Sequence, residues 1–168
     1  MTVWPDGAEQ RAAALLDLCR GRGLKIVTAE SCTGGLLAGL LTAIAGSSDV
    51  VERGFVTYAN AAKSEMLGVE PRLIAARGAV SAEVARAMAE GALMHSRADM
   101  ALAISGIAGP GGGTAEKPVG LVHLACARQG QDTLLRECRF GDIGRTAIRS
   151  AAIAVALDLL EAQATIVG

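Results

Sequence analysis

A chain of 168 residues is the size of one domain, and its 51% apolar content supports a buried core and excludes disorder. A formal net charge of -1 and an aromatic content of 2% leave neither the basic footprint nor the stacking platform of a nucleic-acid binder. The longest apolar runs, "LLAGLLTAIAG" and "AAIAVALDLL", are too short to span a bilayer, so no membrane association is expected.

In chain order, a first helix is predicted from Pro5 or Asp6 to about Arg20, closed by "GRG". "LKIVTAE" (24–30) reads as a strand, and an almost wholly apolar helix follows over about 33–45. "GSSDVVE" is a turn, "RGFVTYAN" (53–60) the next strand, and "AAKSEMLG" a short helix closed by Gly68. Ser81 begins a clearer helix, where "SAEV" has the Ser-x-x-Glu or Ser-x-Glu look of a cap, running to about Arg97. "DMALAISG" (99–106) is a buried strand by its continuous apolar run. After a glycine-rich loop, "VGLVHLACARQ" and "DTLLRECRF" form an expected antiparallel pair, and one long helix over about 142–164 closes the chain. Strands alternating with helices, then a hairpin, predict a single α/β domain over 1–168. The expected fold is a three-layer α/β/α sandwich whose sheet is mixed and mostly parallel.

Chemistry is scarce in this pattern. The loop "GIAGPGGGTAEKP" lacks the Gly-Lys-Ser/Thr of a phosphate loop, and Thr114 stands where a dinucleotide fingerprint needs its third glycine. It also leads into a strand rather than a helix. It is left as either a plain mobile loop or a cover over substrate. His95, at a helix end, and His123, in a strand, have no metal-ligand spacing, so no metal and no cofactor are expected. The four cysteines form no C-x-x-C pair and "MTVWPDGAEQR" is no signal peptide, which predicts reduced thiols and a cytoplasmic protein.

"TAESCTGG" sets Ser31, Cys32 and Thr33 between a strand and a helix. A helix cap is the bland reading. The sharper one is a nucleophile at the open end of a sheet, with the amides of Thr33, Gly34 and Gly35 as donors for an oxyanion or phosphate. Lys63, among small residues after "FVTYAN", is the available base if apolar surroundings lower its pKa. Residue types and spacing leave these readings open.

"TAESCTGG", "AGSS", "ERGFVTYAN", "AK", "GAVS" and "ISGIAGPGGGTAEKPVG" together resemble the CinA C-terminal domain family, in order, from about Leu15 to Ala164. The resemblance implies an α/β/α domain whose stand-alone members are nicotinamide-nucleotide amidohydrolases. Those enzymes turn nicotinamide mononucleotide into nicotinic acid mononucleotide and ammonia by a metal-free Ser-Lys mechanism. It implies Ser31 as nucleophile, Lys63 as base and Tyr58 as an assisting residue. It also implies Ser105 and Gly106 in the pocket and Arg145 toward the phosphate. Apart from the resemblance, Arg145 reads equally as one of several solvated arginines, and Arg149 one turn on is placed to share its work. The implied partner is a small nucleotide. The alanine-rich apolar helices favour a homo-oligomer, a dimer first. The longer family members carry a nucleotide-pyrophosphatase-like domain that these 168 residues do not contain. The alternative reading is a non-catalytic nucleotide-binding or interaction domain linked to competence or DNA damage.

Overall fold

Strands that are apolar on both faces have to be covered on both faces, and helices packed on either side of the sheet do this. The computed structural model describes residues 3–168. Its elements are α1 (Ala8–Arg22), β1 (Ile26–Glu30), α2 (Leu36–Ala43), β2 (Val51–Val56), α3 (Asn60–Leu67) and α4 (Pro71–Arg77). They continue as α5 (Ala82–Met94), β3 (Met100–Gly106), β4 (Leu121–Arg128), β5 (Leu134–Arg139) and α6 (Arg145–Thr165). The sheet order is β2-β1-β3-β4-β5. β1 is parallel to both β2 and β3, whereas β4 is antiparallel to β3 and β5. The expected mixed α/β/α architecture is therefore the observed one.

Two cores flank the sheet. Leu15, Leu37, Leu41 and Leu157 pack with Ile26, Leu102, Ile104 and Leu124 on the side of α1, α2 and α6. On the other side Val84, Ala85, Met88, Ala89 and Ala92 of α5 pack on Ala101, Ala103, Ala125 and Ala127. The second layer is thin because its residues are small, so α5 lies close to the strands. Ser81 caps α5 as predicted, its hydroxyl accepting from the Val84 amide at 3.2 Å.

Local departures have local causes. α2 begins at Leu36 rather than about 33, because Gly34 (φ 56°) and Gly35 (φ 102°) adopt left-handed backbone that ends the preceding turn. β2 ends at Val56, so Tyr58 lies beyond the strand. α4 was not anticipated, although Pro71 at its start is a standard opening signal. Gly21 and Arg22 extend α1 beyond Arg20, and Gly23 closes it.

The contact between α3 and α5 depends on a missing side chain. A Cβ on Gly91 would lie 2.0 Å from the Leu67 carbonyl oxygen, which is backbone and cannot swing aside. A helical Gly→Ala change ordinarily adds about 1 kcal/mol. Gly91→Ala is instead expected to cost about 1–3 kcal/mol through overpacking, lowering the thermal midpoint by several degrees. Gly21→Ala, with nothing within 4 Å of its new methyl group, should raise it. Thermal unfolding of the two variants checks both signs, and a stabilised Gly91→Ala would contradict the packing described.

Candidate active site

The register aligns Glu30, Val56 and Ile104, so β1, β2 and β3 finish at the same edge of the sheet. β2 and β3 flank β1 on opposite sides, which makes this edge a switch point where α/β folds form ligand crevices. Ser31, Thr57 and Ser105 stand at that edge. The Ser31 amide donates to the Ile104 carbonyl (2.9 Å), and the Thr57 amide donates to the Glu30 carbonyl (2.9 Å). A cleft of about 290 Å³ opens there. Its lining includes Ser31, Cys32, Tyr58, Asn60, Lys63, Ser105, Gly106 and Arg145, with Gly109, Gly111 and Gly112 from the glycine-rich loop.

Lys63 lies in the first half of α3 and is among the largest fully buried side chains, 1% exposed. Its Nζ is 3.1 Å from Ser31 Oγ and donates to the Thr57 carbonyl at 2.8 Å. Burial pushes the amine below its ordinary value of 10.5, and only the neighbouring Cys32 sulfur opposes this. No carboxylate restores the charged form. Lys63 can therefore lose its proton and accept one from the serine hydroxyl. The Cys32 thiol is pushed up to about 11, chiefly by burial, which makes it a poor nucleophile near neutral pH.

The other expected residues divide. Tyr58 is 60% exposed at the cleft mouth, and its hydroxyl oxygen accepts from Arg145 Nη2 at 2.9 Å. Arg145, first residue of α6, also donates from Nη1 to the Gly109 carbonyl (2.8 Å), joining the mouth to the glycine-rich loop. Ser105 is in the lining, but its hydroxyl donates to the Ala79 carbonyl at 2.7 Å. Thr33, Gly34 and Gly35 are not in the lining, and the Gly34 amide donates to the Ser31 carbonyl at 3.0 Å.

Arg149 is turned to the protein itself, donating to the carbonyls of Cys32 and Thr33, both at 3.1 Å. His95 ends α5, exposed. His123 is buried on β4, its Nε2 3.9 Å from a Glu137 oxygen, and burial holds its pKa low. Among the described residues, no group of three His, Cys, Asp or Glu side chains is placed to hold a metal ion, and no helix is long and apolar enough to cross a membrane.

Two residues were missed. Asn60 opens α3 and lines the cleft. Glu30 is fully buried, and its carboxylate accepts from Thr33 Oγ1 (2.7 Å) and the amides of Leu37 (2.9 Å) and Ala38 (3.1 Å). Glu30 thus supplies the cap that the sequence pattern offered to Ser31, which leaves the Ser31 hydroxyl to Lys63. The available signal was a carboxylate at the end of a wholly buried strand.

The fold and site define an α/β/α protein with a buried Ser-Lys pair in a cleft at the carboxyl edge of its parallel strands. The chain belongs to the CinA C-terminal domain family, whose model matches residues 8–164. It is 54% identical to the nicotinamide-nucleotide amidohydrolase PncC of Escherichia coli K12 over 142 residues, 84% of this chain and 85% of that one. A CinA-like protein of Anaeromyxobacter sp. is 49% identical over 94% of this chain, which spans only 38% of that longer relative. The crystal structure of the competence/damage inducible protein CihA from Agrobacterium tumefaciens superposes with a TM-score of 0.93 at 55% identity. It covers 96% of this chain and 98% of its own. A CinA-superfamily structure from E. coli gives 0.87 at 34% identity, over 92% and 88%.

The buried amine gives a signed prediction. Because the folded-state pKa of Lys63 is lowered, the unfolded chain binds more protons between that value and 10.5, so this residue's contribution to stability rises with pH across the interval. Lys63→Met should therefore unfold at a higher temperature than the parent at neutral pH. The difference should shrink as pH approaches 10.5. Thermal midpoints of both proteins across pH measure it, and a pH-independent difference would mean the amine titrates as it does in water.

Proposed function

We propose that this chain hydrolyses the carboxamide of nicotinamide mononucleotide to nicotinic acid mononucleotide and ammonia. The observation that carries the reading is the 3.1 Å approach of Lys63 Nζ to Ser31 Oγ in a cleft where no carboxylate holds the amine charged. The PncC relative supports the substrate. Neutral Lys63 takes the serine proton as Ser31 Oγ attacks the carboxamide carbon. Protonated Lys63 then delivers that proton to the departing nitrogen, ammonia leaves, and a nicotinoyl ester of Ser31 remains. Water activated by the amine hydrolyses the ester.

The mouth of the cleft suits the rest of the nucleotide. Tyr58 accepts from Arg145, so its own O–H stays available to a ligand. Arg145 stands at the positive end of α6, where a guanidinium and the helix dipole both favour a phosphate. Release of ammonia separates this reading from a nucleotide-binding domain without catalysis, which needs the cleft but not the amine.

Ser31→Ala is expected to abolish ammonia release while nucleotide binding and fold persist. Lys63→Arg keeps the charge but cannot give up its proton, so it should be as inactive as Lys63→Ala. Substantial turnover by either Ser31→Ala or Lys63→Arg would remove that residue from the mechanism.

Arg145→Ala should raise the KM for the mononucleotide by about 10- to 100-fold, as expected for a charged hydrogen bond, and leave nicotinamide riboside nearly unaffected. Steady-state kinetics on both substrates decides this. Equal losses would reject the phosphate role.

A further inference from the structure

The attack of Ser31 puts negative charge on the carboxamide oxygen, and something must donate to it. The amides of residues 33–35 are outside the cleft lining, and that of Gly34 is spent on the Ser31 carbonyl. The amide of Ser31 is spent on Ile104, and that of Ile107, also in the cleft lining, on Leu121. Several cleft amides lack an acceptor among the described residues, that of Ala108 included, and the Cys32 amide is the one that adjoins the nucleophile. Cys32 lines the cleft, and among the described residues its N–H has no acceptor outside its own residue.

Peptide geometry directs this N–H. In a trans peptide the carbonyl and the N–H point in opposite directions. The Ser31 carbonyl is turned into the turn, toward the Gly34 amide, so the N–H of the same peptide, that of Cys32, points out of it. Two charged side chains hold the turn in this setting, one through its donors and one through its carbonyls. Glu30 takes the Thr33 hydroxyl and the first amides of α2, which has no other side-chain cap. Arg149, reaching from α6, takes the carbonyls of Cys32 and Thr33. The carboxylate also occupies the positive end of α2, so that helix end is closed to a second anion.

We infer that the Cys32 amide is the oxyanion donor, and that Glu30 and Arg149 are positioning residues that keep it aimed at the cleft. The inference rests on the hydrolase reading above. As the Oγ–C bond forms, the carbonyl electron pair moves to oxygen, where the Cys32 N–H meets it, and the hydroxyl proton passes to Lys63. When that pair returns, the C–N bond breaks and the nitrogen leaves with the Lys63 proton as ammonia. Donor and turn are unchanged at the end of the step.

The test compares parent, Arg149→Met, Arg149→Lys and Glu30→Gln for ammonia release across substrate concentration. 3-Pyridylboronic acid serves as a probe that becomes tetrahedral on the serine. Arg149→Met is expected to lower kcat about 100-fold, the scale of a misplaced or lost donor, with KM within about twofold. Arg149→Lys should recover part of this, since one ammonium reaches one carbonyl. Boronate inhibition should weaken in step with kcat while affinity for nicotinic acid mononucleotide holds. The pH dependence set by Lys63 should stay in place.

Parent-like kcat in Arg149→Met and Glu30→Gln would overturn the inference. So would a lower apparent kcat with unchanged boronate inhibition, which marks a loss of folded protein only. If Arg149→Met does not fold, Thr33→Val, which removes only the hydroxyl donated to Glu30, supports the same comparison. A parent inactive on the mononucleotide, with boronate binding still weakened in Arg149→Met, would reject the substrate reading and keep the donor assignment.

Discussion

An ammonium group taken out of water with no carboxylate beside it costs several kcal/mol, and burial accordingly lowers the pKa of Lys63. This one constraint organises the edge of the sheet. The two polar atoms that Nζ reaches, Ser31 Oγ and the Thr57 carbonyl, are both anchored through residue 30. Ser31 follows it in the chain, and the Thr57 amide donates to its carbonyl. The end of β1 therefore fixes both partners of the lysine.

Lys63 can be buried because α3 is drawn close. α3 packs on α5, and α5 packs on an alanine-faced sheet. Gly91 lets the Leu67 carbonyl approach α5 where any side chain would hold it off. The scarcity of aromatic residues and abundance of alanine and glycine thus have a structural use: thin layers bring the helix carrying the lysine down to the strand end carrying the serine.

The turn after β1 separates two tasks that usually compete for one residue. A serine at a helix start normally spends its hydroxyl as a cap. Here Glu30 satisfies the start of α2, so the hydroxyl of Ser31 is left to face Lys63. Arg149 holds the carbonyls of the turn from the far end of the sequence. At the mouth, Arg145 ties Tyr58 to the glycine-rich loop. α6 in this way carries two arginines of different use, one turn apart: Arg145 faces the cleft and Arg149 faces the protein.

Apart from α4, the order of strands and helices was legible in the sequence because it depends on local periodicity: the buried run of β3, the capping serine of α5 and the hairpin of β4 and β5 are each set by neighbours along the chain. The family motifs placed Ser31, Lys63, Tyr58, Ser105, Gly106 and Arg145 as candidates, and the structure gathers all six around one cleft. The sequence also determined that Gly34 and Gly35 sit where a strand gives way to a helix. It could not say that their left-handed backbone delays the helix to Leu36 and leaves residues 33–35 out of the cleft lining. The roles of Glu30 and Arg149 were decided only by tertiary structure. A buried carboxylate capping a helix seven residues on, and a guanidinium bonding carbonyls 116 and 117 residues away, leave no local pattern, because the partners become neighbours only when the sheet and α6 pack together.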